Sequence, residues 1–538
     1  MNDPCLEKYG LWAVFLGWII SISIALLYRQ ALPIDETRYL SVAWEMWMRG
    51  DFLVPHINGE PYAHKPPLLF WIINSSWFVF GVSEWSARLA VALVGLISLL
   101  LVYPLARLLW PSDKKIAVLA SWILLTILVW NVWSGMLMFD LLLAACAEMG
   151  WIGILLVWRK ATFSGWFLTG LAIGLGILAK GPVILILVLP VALLAPWWSK
   201  NADQNSPSLS WLRWYGGVFF AILMGSAIAL AWALPAASAG GKAYHDAILW
   251  GQTANRVVKS FAHSRPWWWY LPLLPLLLSP WSFWAPLWRR SRVIFQTNID
   301  NGAKFSLTIF IGGLILLSLI SGKQIHYLIP LFPAFALFAA NVLVRSNNAV
   351  TLSRVQAVIL TILPGIVGLY ILLTPFIEPS PKLPHSLTSP ALLWSIPFLS
   401  IVVVALIKPN LFARPMGVGV LSLSIVVFCY GAFFHQMTQD YNLKPIAKKI
   451  AEQQALGIPV GFTGREYKAE FNFYGRLRQP IEIIPEWQEP QQWLQSHKNA
   501  AIVKIVKQKP ANNRLYVPVW NKGDYYLWLP PQETNVPG

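Results

Sequence analysis

Apolar stretches about twenty residues long recur from one end of this chain almost to the other. They fall near residues 11–28, 86–110, 116–132, 136–157, 163–179, 181–198, 212–236, 267–288, 305–321, 325–343, 355–376, 391–407 and 416–436. Crossing a hydrocarbon core takes roughly 20 apolar residues per helix, and the helix must satisfy its own backbone polar groups there. About thirteen such stretches predict a polytopic α-helical membrane protein. Hydrophobic residues make up 57% of the chain and charged ones only 12%, a balance that excludes an ordinary soluble globular fold.

Basic residues set the expected orientation. Arg107 with Lys114 and Lys115, Arg159 with Lys160, Lys200 with Arg213, Arg289 with Arg290 and Arg292, Arg345 with Arg354, and Lys408 with Arg414 occupy every second loop. Short loops rich in Lys and Arg stay cytoplasmic. Loops 29–85, 237–266, 321–324 and 377–390, and the tail after residue 436, are therefore expected on the outer face. The formal net charge of +17 is largely this topological signal, with some attraction to anionic membrane lipids. No nucleic-acid partner is expected, because the basic residues are spread over many loops. The first span lacks a basic leader and a small-residue cleavage pattern, so it reads as a retained anchor. Cys5, Cys146 and Cys429 are too scattered for a disulfide framework or a metal cage.

Two domains are expected. Residues 1–436 form the membrane part, without visible internal repeats. Its outer loop 29–85 carries two interfacial helices. Tyr39, Val42, Ala43, Met46 and Trp47 recur at helical spacing in 36–49, which suggests an amphipathic helix lying along the membrane surface. Residues 66–80 form a second apolar stretch, too interrupted to span. The second domain is 437–538; after Tyr441 charge rises and long apolar runs stop. Strands at 458–463, 481–484, 500–506, 514–519 and 525–529, with helices at 444–455 and 486–497, predict a small outer-face α/β domain.

Chemistry-bearing residues gather in the loops expected outside. The first loop supplies Asp35, Glu36, Arg38, Tyr39, His64 and Lys65; Asp140 lies about one turn into the fourth stretch. Loop 237–266 supplies Arg256, and Ser321–Tyr327 supplies Lys323 and Tyr327. Each also has a plainer reading. Asp35 can cap the surface helix, and Lys65 and Lys180 can snorkel to headgroups, the reading preferred for Lys180. Arg256 can be a solvated charge, and His326 an ordinary hydrogen-bonding residue. Asp140, within GMLMFDLLLAA, has few such excuses. Acids beside Lys, Arg and Tyr at a bilayer face suit a lipid-linked phosphate, held by charge-assisted hydrogen bonds, while a carboxylate takes a proton from an incoming hydroxyl.

The string Asp35-Glu-Thr-Arg-Tyr39, then Gly50-Asp-Phe-Leu-Val-Pro55, Asn58-Gly59 and Lys65-Pro-Pro67, resembles the first outer loop of aminoarabinose (lipid A) transferases. These lie within the dolichyl-phosphate-mannose protein mannosyltransferase-like group with the GT-C fold. The resemblance continues at Asp140, Ala179-Lys-Gly-Pro182 and Lys323 through Tyr327-Leu-Ile-Pro330. It implies a GT-C-like membrane enzyme moving a sugar from a polyprenyl-phosphate donor to a lipid A-like glycolipid, another glycan or a protein. Inversion at the anomeric carbon and the absence of a nucleotide cofactor are implied too. By the same resemblance Asp35 and Asp140 are the catalytic acids, Lys65, Arg256 and Tyr327 cradle the lipid phosphate, and Glu36, Arg38 and Tyr39 order the loop. Lys180 and Lys323 are substrate-contacting or structural. His64 stands where the family has a glutamate, and Gln252-Thr253 where it has a Glu-His pair. The family positions are metal ligands, which leaves His64 as the candidate ligand for a divalent ion. The alternative function is a transporter or flippase of lipid-linked sugars, which inverted repeats would favour.

Overall fold

A computed structural model describes residues 4–199, 210–251, 264–296, 299–345, 352–376, 392–485, 487–497, 499–511, 513–519 and 523–531. Their helices are α1 (Pro4–Tyr28), α2 (Asp35–Arg49), α3 (Leu68–Phe80), α4 (Glu84–Leu109), α5 (Lys114–Thr126), α6 (Leu128–Ser134), α7 (Asp140–Lys160) and α8 (Ser164–Lys180), followed by further helices that include Trp211–Ala239, Asn301–Leu319, Phe332–Arg345 and Pro415–Cys429.

Among the described residues seven helices are long and apolar enough to cross a membrane, or nine if each sharply bent pair is one span. The thirteen expected stretches thus do not map one to one onto full spans. Local breakers explain the difference. At Ile127 the α5–α6 pair bends by 73°, and the stretch 267–288 breaks into short turns around Pro272, Pro275 and Pro280 before the helix Ala285–Gln296 begins. Stretch 181–198 is divided between the ten-residue helix Ile184–Leu193, with Pro190 inside it, and the short helix Ala195–Trp198.

Small residues let the helices approach. A Cβ on Gly153 of α7 would sit 2.5 Å from the Gly165 carbonyl oxygen of α8, so only glycine fits that crossing. Some buried indoles are matched to carbonyls: Trp151 donates to Leu187 O at 2.9 Å and Trp214 to Ala192 O at 2.9 Å.

The C-terminal region folds as expected, with all five strands present. Its sheet runs Glu482–Ile483, Val460–Thr463, Ala501–Val506, Tyr525–Leu529, Tyr516–Pro518, the first three parallel and the rest antiparallel. Helix Lys444–Ala455 contributes Ile446 and Ile450 to a core with Phe462, Phe471, Val503 and Tyr526.

The helix expected at 36–49 exists, but it does not lie free on the membrane surface. In α2, Thr37, Ser41 and Glu45 are buried together with Tyr39, Leu40, Val42, Ala43 and Met46. The C-terminal domain covers the polar side. Ser41 Oγ donates to Ala469 O at 2.7 Å and accepts from Phe473 N at 3.1 Å, and Trp44 Nε1 donates to Leu477 O at 2.9 Å. Trp77 of α3 stacks on Phe473 at 5.5 Å, and Arg476 lies 4.0 Å from the same ring. A polar face satisfied by backbone groups of another domain no longer needs water, so the amphipathic pattern misread its neighbour.

Asn58 makes three bonds across this contact: it donates to Ile481 O at 2.9 Å and accepts from Ile481 N at 2.9 Å and Asn472 Nδ2 at 3.3 Å. Asn58→Ala is expected to weaken the docking by about 1–3 kcal/mol. Hydrogen exchange of 469–481 should accelerate in the variant; unchanged exchange would show that the bonds do not hold the domain.

Candidate active site

The chain between α1 and α2 is set by one buried carboxylate. Glu36 pairs with Arg29, accepts from Leu32 N at 2.9 Å, and accepts from Leu137 N at 2.7 Å. Arg29 and Arg88 also donate to Gly135 O. Three segments distant in sequence are thereby pinned: the end of α1, the start of α2, and the stretch 135–139 leading to Asp140. Burial alone would raise the Glu36 pKa, but the Arg29 guanidinium outweighs it and holds the carboxyl below its ordinary value.

Asp140 is the first residue of α7, not one turn inside it, because Gly135–Phe139 do not continue the helix. That position favours a carboxylate, since the helix start carries partial positive charge. The side chain is 1% exposed and forms an ion pair with Lys180 at the end of α8. Trp133 Nε1 donates to its other oxygen at 3.3 Å. Lys180 is therefore not a snorkelling lysine: a buried acid draws it inward. Its ammonium also lies 4.6 Å from the centroid of the Tyr327 ring.

Tyr327 sits in the 3-10 segment Ile325–Leu331. His326 beside it stacks on Trp133 at 5.5 Å and 21°, within electrostatic reach of Asp140 and Lys65. Sequence reasoning treated His326 as ordinary and passed over Trp133. The only signal for Trp133 was an indole beside Asn131 and Ser134 in an apolar stretch.

Lys65 reaches the same place from the other side, 5.5 Å from the Phe139 ring centroid. Tyr39 meets Phe139 edge-on at 4.9 Å and lies 6.3 Å from Phe70. Burial, then the charge of Asp35, pushes the Tyr39 hydroxyl well above its ordinary range, so it stays protonated. Asp35 begins α2, makes no capping bond, and is half exposed at 50% while paired with Arg38.

Of the sequence candidates, Asp140, Lys65, Lys180 and Tyr327 come together, with Tyr39 linked through Phe139. Lys323 does not join them; its buried ammonium donates to Arg265 O at 3.0 Å and to Ile320 O, closing the 321–324 turn. Arg256, like Gln252 and Thr253, lies outside the described residues. The His64 ring lies 5.4 Å from Tyr62. Among the described residues no three His, Cys, Asp or Glu side chains converge, and no step below runs through an ion.

Known proteins share this arrangement of helices. The family model described as dolichyl-phosphate-mannose-protein mannosyltransferase matches residues 64–232. An undecaprenyl phosphate-α-4-amino-4-deoxy-L-arabinose arabinosyl transferase of Enterobacter sp. strain 638 is 31% identical over 341 residues, 62% of this chain and 59% of the relative. One of the same name from Pseudomonas aeruginosa strain UCBPP-PA14 is 31% identical over 326 residues, 59% of this chain and 57% of the relative. The chain thus spans about three fifths of the length of these curated relatives. The crystal structure of ArnT from Cupriavidus metallidurans bound to undecaprenyl phosphate superposes with a TM-score of 0.74 at 19% identity, covering 98% of each chain. The fold is that of an integral, multi-pass membrane protein of the GT-C-like fold class. Within that class the chain resembles the aminoarabinose transferases and the related dolichyl-phosphate-mannose protein mannosyltransferases.

Two outcomes test the electrostatics. Glu36→Gln is expected to cost about 3–5 kcal/mol, the usual penalty for leaving a buried partner charge unpaired. Because the folded pKa of Glu36 is depressed, its contribution is present above the unfolded value near 4.5 and lost as pH falls through the folded one. Thermal unfolding against pH should therefore show a smaller acid-side loss in the variant, and superimposable profiles would contradict the pairing. Lys180→Met alone should destabilise more than Lys180→Met combined with Asp140→Asn, a coupling of about 0.5–3 kcal/mol in a double-mutant cycle. Additive losses would show that the two side chains do not interact.

Proposed function

We propose that this chain is a membrane glycosyltransferase that moves a sugar from a polyprenyl-phosphate donor to an acceptor hydroxyl. The supporting observation is the gathering of Lys65, Lys180, Tyr327 and His326 around Asp140 at one end of a GT-C bundle. Ammonium groups and a phenol next to apolar helix walls suit a phosphate that trails a long hydrocarbon chain. A relative named for an undecaprenyl-phosphate sugar and a neighbouring structure bound to undecaprenyl phosphate favour the same donor class.

In the proposed reaction the acceptor oxygen attacks the anomeric carbon as the bond from that carbon to the phosphate oxygen breaks. Asp35, half exposed at the mouth, takes the acceptor proton; polyprenyl phosphate leaves with its charge held by Lys65, Lys180 and Tyr327. Asp140 fixes Lys180 and shapes the cavity. Attack opposite the leaving group inverts the anomeric centre. Acceptors of the right kind are a lipid A-like glycolipid, another glycan or a protein hydroxyl.

Charge distribution supports an outward-facing site. Twenty residues separate Asp140 from Lys160 along α7, roughly 30 Å at 1.5 Å per residue. Arg159 and Lys160 end that helix, and Arg107, Lys114, Lys115 and Arg345 close neighbouring ones. Basic ends of this kind favour the cytoplasm, which supports the reading that Asp35, Asp140 and the C-terminal domain lie across the bilayer.

Asp35→Asn tests the assignment. Purified variant should keep wild-type thermal stability, because the Asp35–Arg38 pair is partly exposed and worth little. It should lose at least about a hundredfold in transfer from a polyprenyl-phosphate sugar, the lower range for removing a general base. Undiminished turnover would remove Asp35 from the chemistry.

A further inference from the structure

We propose that the donor sugar carries no charge and that His326, held between Trp133 and Tyr327, reads one of its hydroxyl groups, an assignment that rests on the glycosyltransferase reading above. In that reading the acceptor oxygen approaches beside Asp35, and the phosphate leaves toward Lys65 and Lys180. The sugar ring has to lie between them, since its anomeric carbon joins the incoming oxygen to the outgoing one. His326 is within electrostatic reach of Asp35, Lys65, Lys180 and Asp140 together. Its ring therefore stands where the sugar must pass.

The imidazole is fixed from two sides. It stacks on Trp133 at 5.5 Å and 21°, and it meets Tyr327 edge-on at 4.8 Å and 90°. Trp133 is itself held, because its indole N–H donates to Asp140 at 3.3 Å. Tyr327 has the Lys180 ammonium 4.6 Å from its ring centroid. These contacts set the plane of the imidazole and use none of its polar atoms. Among the described residues neither ring nitrogen has a hydrogen-bond partner, and neither is sealed inside the protein. By contrast, Lys180 and the Trp133 N–H are already committed to Asp140. A neutral imidazole offers one donor and one acceptor, and a hydroxyl can meet either. A polar group held in place within an aromatic wall is what gives a small-ligand site its orientation and specificity.

The charges around the ring argue against a cationic sugar. Both carboxylates within reach of His326 are paired, Asp140 with Lys180 and Asp35 with Arg38. Loop 237–266 has one acid, Asp246, which is exposed and lies 3.1 Å from His245, and the hairpin 321–327 has none. An amino sugar would bring an ammonium close to Lys65 and Lys180 with no uncommitted carboxylate to receive it, and an unmatched charge in a partly buried site is costly. That ammonium would also compete for Asp35, which has to take the acceptor proton. A hydroxyl makes neither demand. Neutral hexoses and pentoses fit this site; amino sugars do not.

Full-length protein in nanodiscs provides the test, with retained donor counted by native mass spectrometry. The probes are undecaprenyl phosphates carrying glucose, galactose, mannose or arabinose, each in competition with its 4-amino-4-deoxy counterpart. The best-retained neutral donor should exceed its amino counterpart at least about tenfold. Single-deoxy versions of that sugar then locate the hydroxyl. Wild-type protein should hold one of them about fivefold more weakly, the worth of one neutral hydrogen bond. His326→Phe keeps an aromatic ring on Trp133, so it should fold. It should hold the parent sugar about fivefold more weakly and lose nothing further on that deoxy analogue. His326→Gln can still donate and accept, and should keep at least about a twofold preference for the parent. A merely structural role for His326 would weaken every donor alike and leave the deoxy penalty intact. That result, or equal retention of neutral and amino donors, would overturn the proposal while the transferase reading stands. Retention of none of the donors would remove the transferase reading and the sugar assignment together.

Discussion

A single buried carboxylate, Glu36, sets the geometry on which the candidate site depends. Its two oxygens engage the Arg29 guanidinium, the Leu32 amide and the Leu137 amide. Buried ion pairs add little net stability, because desolvation offsets most of the attraction. Their effect is positional. With Glu36 so held, Asp35 begins α2 in one orientation, and the stretch before Asp140 can take only one course. The two acids proposed for catalysis are thus set against each other by a third that touches no substrate.

Asp140 and Lys180 repeat the logic one layer further in. A carboxylate at the start of α7 gains from the helix dipole, and a lysine at the end of α8 supplies the countercharge. Gly153 and Gly165 let α7 and α8 close together, so the pair depends on backbone contact elsewhere in the same two helices. From above, the C-terminal domain covers α2 and satisfies its polar side. Packing, capping and charge therefore converge on one volume at one end of the bundle.

Much of this was legible in the residues. Long apolar stretches specify membrane helices because a bilayer admits few other folds, and all five C-terminal strands followed from short alternating runs. The acid-bearing loop stood out because charge is rare in such a chain. Where the reading went astray, the missing information was tertiary. The helix at 36–49 looked free on the membrane surface, but another domain supplies partners for Ser41 and Trp44 on it. Lys180 looked like a headgroup lysine until Asp140 was placed beside it. Proline-broken stretches such as 267–288 had the hydropathy of a span without the continuity of one. Trp133 and His326 carried no pattern at all, since stacking between residues almost 200 positions apart leaves no local periodicity.

The account's central claim is that side chains from four separated segments form one phosphate-binding pocket, and photocrosslinking tests it most directly. A polyprenyl phosphate carrying a photoreactive group next to its phosphate would be activated on the reconstituted protein and the adducts mapped by mass spectrometry. Adducts should concentrate on peptides containing Lys65, Trp133, Lys180 and Tyr327. Adducts found instead around Arg159 and Arg345, or spread evenly along the helices, would contradict it.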